Sequence, residues 1–168
     1  MQDEIINRVA QSKLITFNLE DHYPEGKRME LDIKDWLFEG FILKEKDFRA
    51  AVENHDWSKY QGAYVAVFCS TDAIIPGWAY MLITVKLAEF AKKTVQGSLE
   101  DLESMLYQSV IENLNVSEFQ DKSVIIKGCS KKPVPLNAYL FMTAKLKPVV
   151  RSVMYGEACS AVPLYKRK

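Results

Sequence analysis

Apolar side chains recur along the chain with two different spacings, and each spacing predicts a different kind of element. Residues 29–33 alternate apolar and charged side chains, as a strand with one buried face does. Between residues 99 and 114, leucine and valine recur every three or four positions, which predicts a helix with one apolar face. Runs rich in β-branched residues at 63–68 and 123–127 predict buried strands.

From about residue 43 onward the predicted order is helix, strand, helix, strand, and this order occurs twice. The predicted helices cover 3–9, 45–54, 76–93, 99–114 and 135–147, and the predicted strands cover 14–19, 29–33, 63–68, 94–96, 123–127 and 152–155. A turn at Gly26 separates the two earliest strands, so we expect them to form a hairpin or to add to the edge of a sheet.

The chain also resembles itself when it is displaced by 59 positions. Residues 52–97 then align with 111–156 without a gap, and 12 of the 46 pairs are identical, whereas roughly three identities would be expected by chance. We interpret this as an internal duplication, with repeats at about 43–97 and 102–156. An N-terminal extension, 1–42, precedes them, and a C-terminal tail, 157–168, follows.

Strand, helix and strand in succession predict parallel pairing through a right-handed crossover. The expected fold class is therefore α/β, with a mainly parallel or mixed sheet flanked by helices and shared by both repeats. A chain of 168 residues is long enough for one well-buried domain and short for two. We expect a single domain, 1–168.

Charge and apolar content restrict the partners and the location. Lysine plus arginine and aspartate plus glutamate number 22 each, so no overall field favours nucleic acid or a membrane surface. The acidic start does not resemble a signal peptide, and the longest apolar stretch, 73–85, is shorter than the ~20 residues that span a bilayer. Three cysteines without matching spacings do not suggest a disulfide framework, so we expect a cytoplasmic protein.

A Cys-Ser pair follows a predicted strand three times. Because parallel strands end at the same edge of a sheet, and α/β proteins bind ligands there, we expect the three pairs to lie close together. The helices that begin at Pro76 and Pro135 would favour an anion near the first two pairs. The candidate ligand-binding residues are Cys69, Ser70, Cys129, Ser130, Lys131, Cys159 and Ser160.

Three interpretations of the cysteines are open. Cys69, Cys129 and Cys159 would form a zinc, iron or iron–sulfur site with a fourth ligand such as Asp72 or His55, although no Cys-x-x-Cys motif is present. Cys129 or Cys69 would instead be the nucleophile of a thiol-dependent enzyme, although neither histidine has a spacing that places it beside a cysteine. Alternatively, each cysteine is a small buried apolar residue.

The tryptophans suggest one further function. Trp36, Trp57 and Trp78 would serve a non-catalytic binding module, with a homodimer interface as one expected use. Large aromatic side chains in a domain of this size are more often part of the core.

Several uncommon segments together resemble one known family. They are 32–37, 43–49, 60–62, 127–130 with 133–135, and 159–168. The chain resembles an uncharacterised bacterial family known as domain of unknown function 2480, over nearly its whole length. The resemblance implies a cytosolic protein without an assigned activity. It also implies genes that neighbour those of sulfur-mobilising iron–sulfur cluster assembly, which favours an accessory role in iron–sulfur or sulfur handling with assembly proteins as partners.

Overall fold

The computed structural model describes residues 14–127 and 131–168. The helix predicted at 3–9 and the residues Cys129 and Ser130 lie outside this range. The strands are β1 Leu14–Asn18, β2 Arg28–Asp32, β3 Tyr64–Phe68, β4 Lys93–Gln96, β5 Ser123–Lys127, β6 Ser152–Glu157 and β7 Ser160–Lys166. The helices are α1 Glu45–Asn54, α2 Gly77–Leu87, α3 Leu99–Asn113 and α4 Leu136–Leu146, with short 3₁₀ helices at Leu19–His22, Lys34–Trp36, Ser58–Tyr60 and Ser117–Phe119.

The described strands form two sheets, so the expectation of one common sheet is wrong. One sheet has the order β2-β3-β4 and is entirely parallel. The other has the order β1-β5-β6-β7, in which only β7 is antiparallel to its neighbour. The predicted class, an α/β fold with mainly parallel or mixed sheets flanked by helices, is confirmed.

The pairing of β1 and β2 explains why the strands form two sheets. β1 and β2 do not form a hairpin; each adds in parallel to the edge of a different sheet, β1 beside β5 and β2 beside β3. A parallel strand cannot join its neighbour through a tight turn. The short segment around Gly26 therefore leads from one sheet to the other.

The chain divides into two compact units. We call residues 25–105 the continuous unit, and residues 1–24 with 106–168 the split unit. The continuous unit contains the three-stranded sheet, and the split unit contains the four-stranded one. The single domain with its predicted repeat bounds stays a prediction.

Both units have the same order of elements: strand, 3₁₀ helix, α-helix, 3₁₀ helix, strand, α-helix, strand. In the split unit the first strand and the first 3₁₀ helix precede the continuous unit. Its first α-helix, α3, begins at Leu99 within the continuous unit and ends at Asn113 in the split unit, and the other elements follow. The bounds of β3 and β5, and those of α2 and α4, differ by the same 59 residues as the sequence repeat. Repeated sequence therefore coincides with repeated elements, and duplication as its origin stays a prediction.

Each unit buries one face of its sheet beneath two helices. Consecutive crossovers of the same hand place both helices on the same face, where alternate strand residues point. The core of the continuous unit includes Phe48 and Val52 of α1, Ala79, Ile83 and Leu87 of α2, and Leu31, Val65 and Val67 of the sheet. The core of the split unit includes Tyr107 and Ile111 of α3, Ala138, Met142 and Leu146 of α4, and Phe17, Val124, Ile126 and Val153 of the sheet.

The largest differences from prediction concern α2 and the C-terminal residues. Helix α2 ends at Leu87 rather than at 93, because the chain turns there and the Lys92 N–H donates to the Ala63 carbonyl at the start of the sheet. Residues 160–166 form β7 and are not a tail. Arg167 is also engaged, since its guanidinium binds the Asp121 carboxylate.

One lysine that is identical in the two repeats connects the two helices of its unit. In the split unit, Lys145 Nζ lies 2.6 Å from each of the Ile111 and Glu112 carbonyl oxygens at the end of α3. A cation stabilises carbonyls at the end of a helix. The Ile111 carbonyl also accepts from the Leu114 N–H at 3.2 Å. In the continuous unit, Lys86 Nζ lies 3.0 Å from the Glu53 carboxylate instead.

We predict that Lys145→Met lowers the free energy of unfolding by about 1 kcal/mol, because two helix-end carbonyls lose a charged donor. Urea unfolding followed by circular dichroism measures this. The matched variant Lys86→Met should change stability by less than about 0.5 kcal/mol, since it breaks a surface ion pair. A larger loss with Lys86→Met than with Lys145→Met would contradict the assignment.

Candidate functional site

The first Cys-Ser pair lies at the carboxyl edge of the sheet of the continuous unit, directly after β3. Asp32, the last residue of β2, accepts hydrogen bonds from the backbone N–H groups of Ser70 and Lys34, both at 3.1 Å. Burial alone would raise the pKa of Asp32, but these bonds and one from the Ser70 hydroxyl lower it below its ordinary value. An ionised Asp32 therefore holds the turn that contains the predicted ligand-binding residue Ser70.

Cys69 is half-buried and forms a hydrogen bond inside this loop. Its Sγ lies 3.3 Å from Thr71 Oγ1, and the Thr71 hydroxyl donates to the Gly40 carbonyl at 2.6 Å. Because a hydroxyl has one proton, Thr71 accepts from Cys69, which is therefore the S–H donor. Burial is the main cause that raises the pKa of the Tyr80 hydroxyl, and an electrostatic interaction with the nearby Cys69 raises it further. This arrangement matches the interpretation of Cys69 as a structural thiol.

The third Cys-Ser pair has different surroundings in the split unit. Cys159 is exposed in the turn between β6 and β7, and Ser160, the first residue of β7, is also exposed. Close to this turn, Gly156 of β6 has a φ of +115°, and an added Cβ there would lie 2.9 Å from the Ser160 carbonyl oxygen, which favours glycine. The Cys159 thiol is free and exposed.

The loop after β5 is held by a carboxylate, as the loop after β3 is. Glu20 Oε1 accepts from the backbone N–H groups of Lys131 at 2.7 Å and of Lys132 at 3.2 Å. The Lys132 ammonium lies 5.0 Å from the centre of the Tyr23 ring. These two backbone donors of the loop before Pro135 thus bind a carboxylate of the chain itself, and an external anion at the start of the helix stays a prediction. The predicted site residue Lys131 contributes its N–H to this bond.

The three Cys-Ser pairs were expected at the edge of one common sheet, whereas the described strands form two sheets. Each sheet has its own carboxyl edge; Cys69 follows β3 in the continuous unit, and Cys159 follows β6 in the split unit. Within residues 14–127 and 131–168, no group of three His, Cys, Asp or Glu side chains is arranged to hold a metal. The metal site of Cys69, Cys129 and Cys159 stays a prediction, because Cys129 lies outside the described residues.

The histidines lie in aromatic surroundings. His55 Nε2 is 3.1 Å from the Tyr60 hydroxyl, and burial, with the charge of Asp56, raises the pKa of Tyr60 to about 12. His22 stacks on Phe17 with ring centres 4.8 Å apart. In the described part of the chain, neither histidine forms a hydrogen bond with a cysteine. The thiol-enzyme hypothesis therefore lacks a histidine base beside Cys69 or Cys159.

All three tryptophans pack into the continuous unit. Trp57 is buried, and its indole N–H donates to the Val52 carbonyl at 2.9 Å. Trp36 and Trp78 each meet Phe48 edge to face, with ring centres 5.7 and 5.8 Å apart. Trp57 therefore belongs to the core, and Trp36 and Trp78 are partly buried against it. A role of the tryptophans at an interface stays a prediction.

Sequence reasoning missed an apolar groove between α4 and the β6–β7 hairpin of the split unit. The groove has a volume of about 260 Å³, and its lining carries no charged side chain: Ile126, Leu136, Tyr139, Leu140, Thr143, Tyr155 and Leu164. Leu136, Leu140 and Leu164 are 74%, 62% and 53% exposed. The spacing of Leu136 and Leu140, on the side of α4 away from its buried residues, is a signal that indicates a second apolar face.

The continuous unit has a groove of its own, of about 550 Å³, between the loops that precede α1 and α2. Its most exposed apolar residues are Ile74 at 93% and Phe41 at 59%. Unlike the groove of the split unit, it includes two carboxylates, Glu45 and Asp72. Glu45 is paired with Arg49 at 2.9 Å.

The fold and these loops define an α/β protein with two similarly ordered units, each with a Cys-Ser turn at the carboxyl edge of its own sheet. The chain belongs to the family described as protein of unknown function (DUF2480), which matches residues 3–167. Comparison with curated proteins gave no match, and neither did comparison with solved structures. In the described residues, no helix combines the length and the apolar content needed to cross a bilayer.

We predict that Asp32→Asn loosens the Cys69–Ser70 turn and lowers the free energy of unfolding at pH 7 by about 1 kcal/mol. The pKa of Asp32 is lowered in the folded state, so its stabilisation is complete above the ordinary value of 3.8 and is lost as pH falls through the folded pKa. Urea unfolding at several pH values should therefore show wild type and variant converging in acid. The control is Asp72→Asn, at an exposed position on the loop after β3 that contains Cys69 and Ser70. An equal loss of stability in this variant would contradict the role of Asp32.

Proposed function

We propose that this protein is an accessory factor in sulfur or iron–sulfur handling, in which the Cys159 thiol accepts sulfur from a partner protein. The observation that carries the proposal is the exposure of Cys159 in the β6–β7 turn, at the carboxyl edge of the parallel strands β5 and β6. An exposed thiol is accessible to a second protein, whereas Cys69 is half-buried and donates its proton to Thr71. A cytoplasmic location, where thiols stay reduced, belongs to the same proposal.

The apolar groove of the split unit supports docking of such a partner. Helix α4 follows β5, and the turn with Cys159 follows β6. Since β5 and β6 are parallel, Leu136 at the start of α4 and the turn lie at the same edge of the sheet. Lys127 and Glu157, the last residues of these two strands, form an ion pair at 3.1 Å that joins their ends. A protein seated on the leucines would reach this edge.

The proposed step is a transfer of sulfane sulfur. The Cys159 thiol releases its proton to water, and the thiolate attacks the terminal sulfur of a persulfide on the partner. The sulfur–sulfur bond of the donor breaks as a new one forms at Cys159. The donor cysteine leaves as a thiolate and takes up a proton, so no external oxidant or reductant is required.

A metal form of the proposal uses the candidate ligands Cys69, Cys129 and Cys159 with zinc, iron or an iron–sulfur cluster. Thiolate is the ligand type that these metals prefer. Metal analysis of the protein purified without oxygen tests it, with Cys129→Ser as the variant. Stoichiometric metal that this substitution removes would support the cluster form, and protein without metal would leave sulfur transfer as the proposed chemistry.

For sulfur transfer, we predict that incubation with a low-molecular-weight persulfide adds one sulfur atom to Cys159, detected by mass spectrometry of the intact protein and of its peptides. Cys159→Ser should abolish this modification, and the matched variant Cys69→Ser should retain it. Modification that persists in Cys159→Ser and disappears in Cys69→Ser would contradict the proposal. Circular dichroism of both variants checks that the fold is intact.

A non-catalytic, dimeric binding module is the second candidate, and the uncharged lining of the groove favours it. Interfaces between identical subunits are more apolar than the average protein surface, and charged residues are depleted from their centre. The groove brings three exposed leucines, Leu136, Leu140 and Leu164, to one surface. This candidate places the interface on α4 and the hairpin instead of on the tryptophans.

For the binding module, we predict a dimer by size-exclusion chromatography with light scattering, and a monomer after Leu140→Lys. Leu140 is 62% exposed, so the substitution charges the surface without disturbing the core. Met81→Lys, at the corresponding place on α2 and 69% exposed, is the control that should stay dimeric. A monomeric wild-type protein at high concentration would exclude the homodimer.

A further inference from the structure

The amino edge of the sheet in the split unit, opposite the edge with Cys159, forms a second groove. Its volume is about 330 Å³, and it is lined by Ser123, Arg151, Ser152, Met154, Pro163, Tyr165 and Lys166. Ser123 and Ser152 are the first residues of β5 and β6, and the Ser152 hydroxyl donates to Ser123 Oγ at 2.8 Å. The Ser123 proton therefore has no acceptor among the described residues and is available to a ligand.

This groove is positively charged although the whole chain has a formal net charge of zero. The exposed cations Arg151 and Lys166 line it, and neither is in an ion pair within residues 14–127 and 131–168. Lys147 lies on the ring of Tyr165, with its ammonium 5.9 Å from the ring centre. The neighbouring carboxylate, Asp121, is already paired with Arg167. No described acidic residue lines the groove.

The corresponding corner of the continuous unit is closed. At the repeat distance of 59 residues, Tyr64 stands in place of Ser123 and Lys92 in place of Arg151. The Lys92 ammonium lies 5.6 Å and the Arg28 guanidinium 5.1 Å from the centre of the Tyr64 ring. Arg28 is also paired with Glu103 at 2.6 Å. There the cations are used internally, whereas a serine at position 123 leaves Arg151 open to an external anion.

We propose that this groove binds the phosphate group of a small phosphate ester. The cations Arg151 and Lys166 match the charge of a dianionic phosphate, and the planar guanidinium of arginine binds two of its oxygens at once. The Ser123 hydroxyl donates to a third oxygen. The volume is at the lower end of the range for ligand pockets, about 300–1,000 Å³, so the group attached to the phosphate is small.

The test uses the full chain with inorganic phosphate and glycerol phosphate, at constant ionic strength set with chloride. We expect each probe to raise the midpoint of thermal unfolding in a saturable way, because a ligand that binds only the folded state stabilises it. Arg151→Gln should weaken the apparent affinity about tenfold or more, since a charge-assisted hydrogen bond is lost. Ser123→Tyr should have the same effect by filling the groove as Tyr64 does in the continuous unit.

Lys92→Gln is the matched control, because it removes the corresponding cation from the closed corner. If Lys92→Gln weakened phosphate binding as strongly as Arg151→Gln does, the proposal would be overturned. It would also be overturned if chloride raised the unfolding midpoint of the wild-type protein as much as phosphate does. Binding of a short single-stranded oligonucleotide without a response to either small probe would also contradict it, since the ligand would then be a nucleic acid. Arg151 is exposed, so its substitution tests the site even if Ser123→Tyr does not fold.

Discussion

Parallel pairing between strands that are far apart in the sequence is the constraint on which both units depend. Leu14 pairs with Ser123 in the split unit, and Arg28 pairs with Tyr64 in the continuous unit. A parallel neighbour requires a long crossover, and in the split unit this crossover contains the whole continuous unit. Each sheet can then bury one face beneath two helices, and each presents its loops at an edge of its own.

At the carboxyl edge of each sheet, a carboxylate of the chain binds backbone N–H groups of a loop. Asp32 in one unit and Glu20 in the other accept hydrogen bonds from backbone N–H groups of the following loop. These donors stabilise the loops themselves. The features open to partners are the exposed thiol at the carboxyl edge of the split unit, the uncharged groove, and the basic corner of the opposite edge.

Differences between the two units are as informative as their common order. The split unit adds β7, and the hairpin provides both the turn of Cys159 and one wall of the apolar groove. It also has Ser123 where the continuous unit has Tyr64, and this exchange opens the basic groove. The split unit thus differs from the continuous unit by an additional edge strand, β7, and by an open groove beside Ser123. They leave the core positions equivalent, as Ala79 and Ala138 illustrate.

Local pattern and repeat spacing were enough to determine the kinds of elements. The strand at 123–127 and the helix at 45–54 have the bounds that were predicted, because side-chain periodicity is a local property of the chain. The candidate site was only partly predictable. Cys159 was identified as following a strand, but its exposure depends on β7, which Pro163 and the absence of a strict alternation conceal in the sequence.

Tertiary structure alone decided which strands are neighbours. The sequence determined that β1 and β2 are strands, yet both hairpin pairing and edge addition satisfied their local patterns. The choice depends on burial against distant helices, which no local signal contains. For the same reason, spacing could not separate Cys69 and Cys159 into different sheets, or show that Asp32 and Glu20 would use the loop donors. Such contacts exist only when segments far apart in the chain pack together.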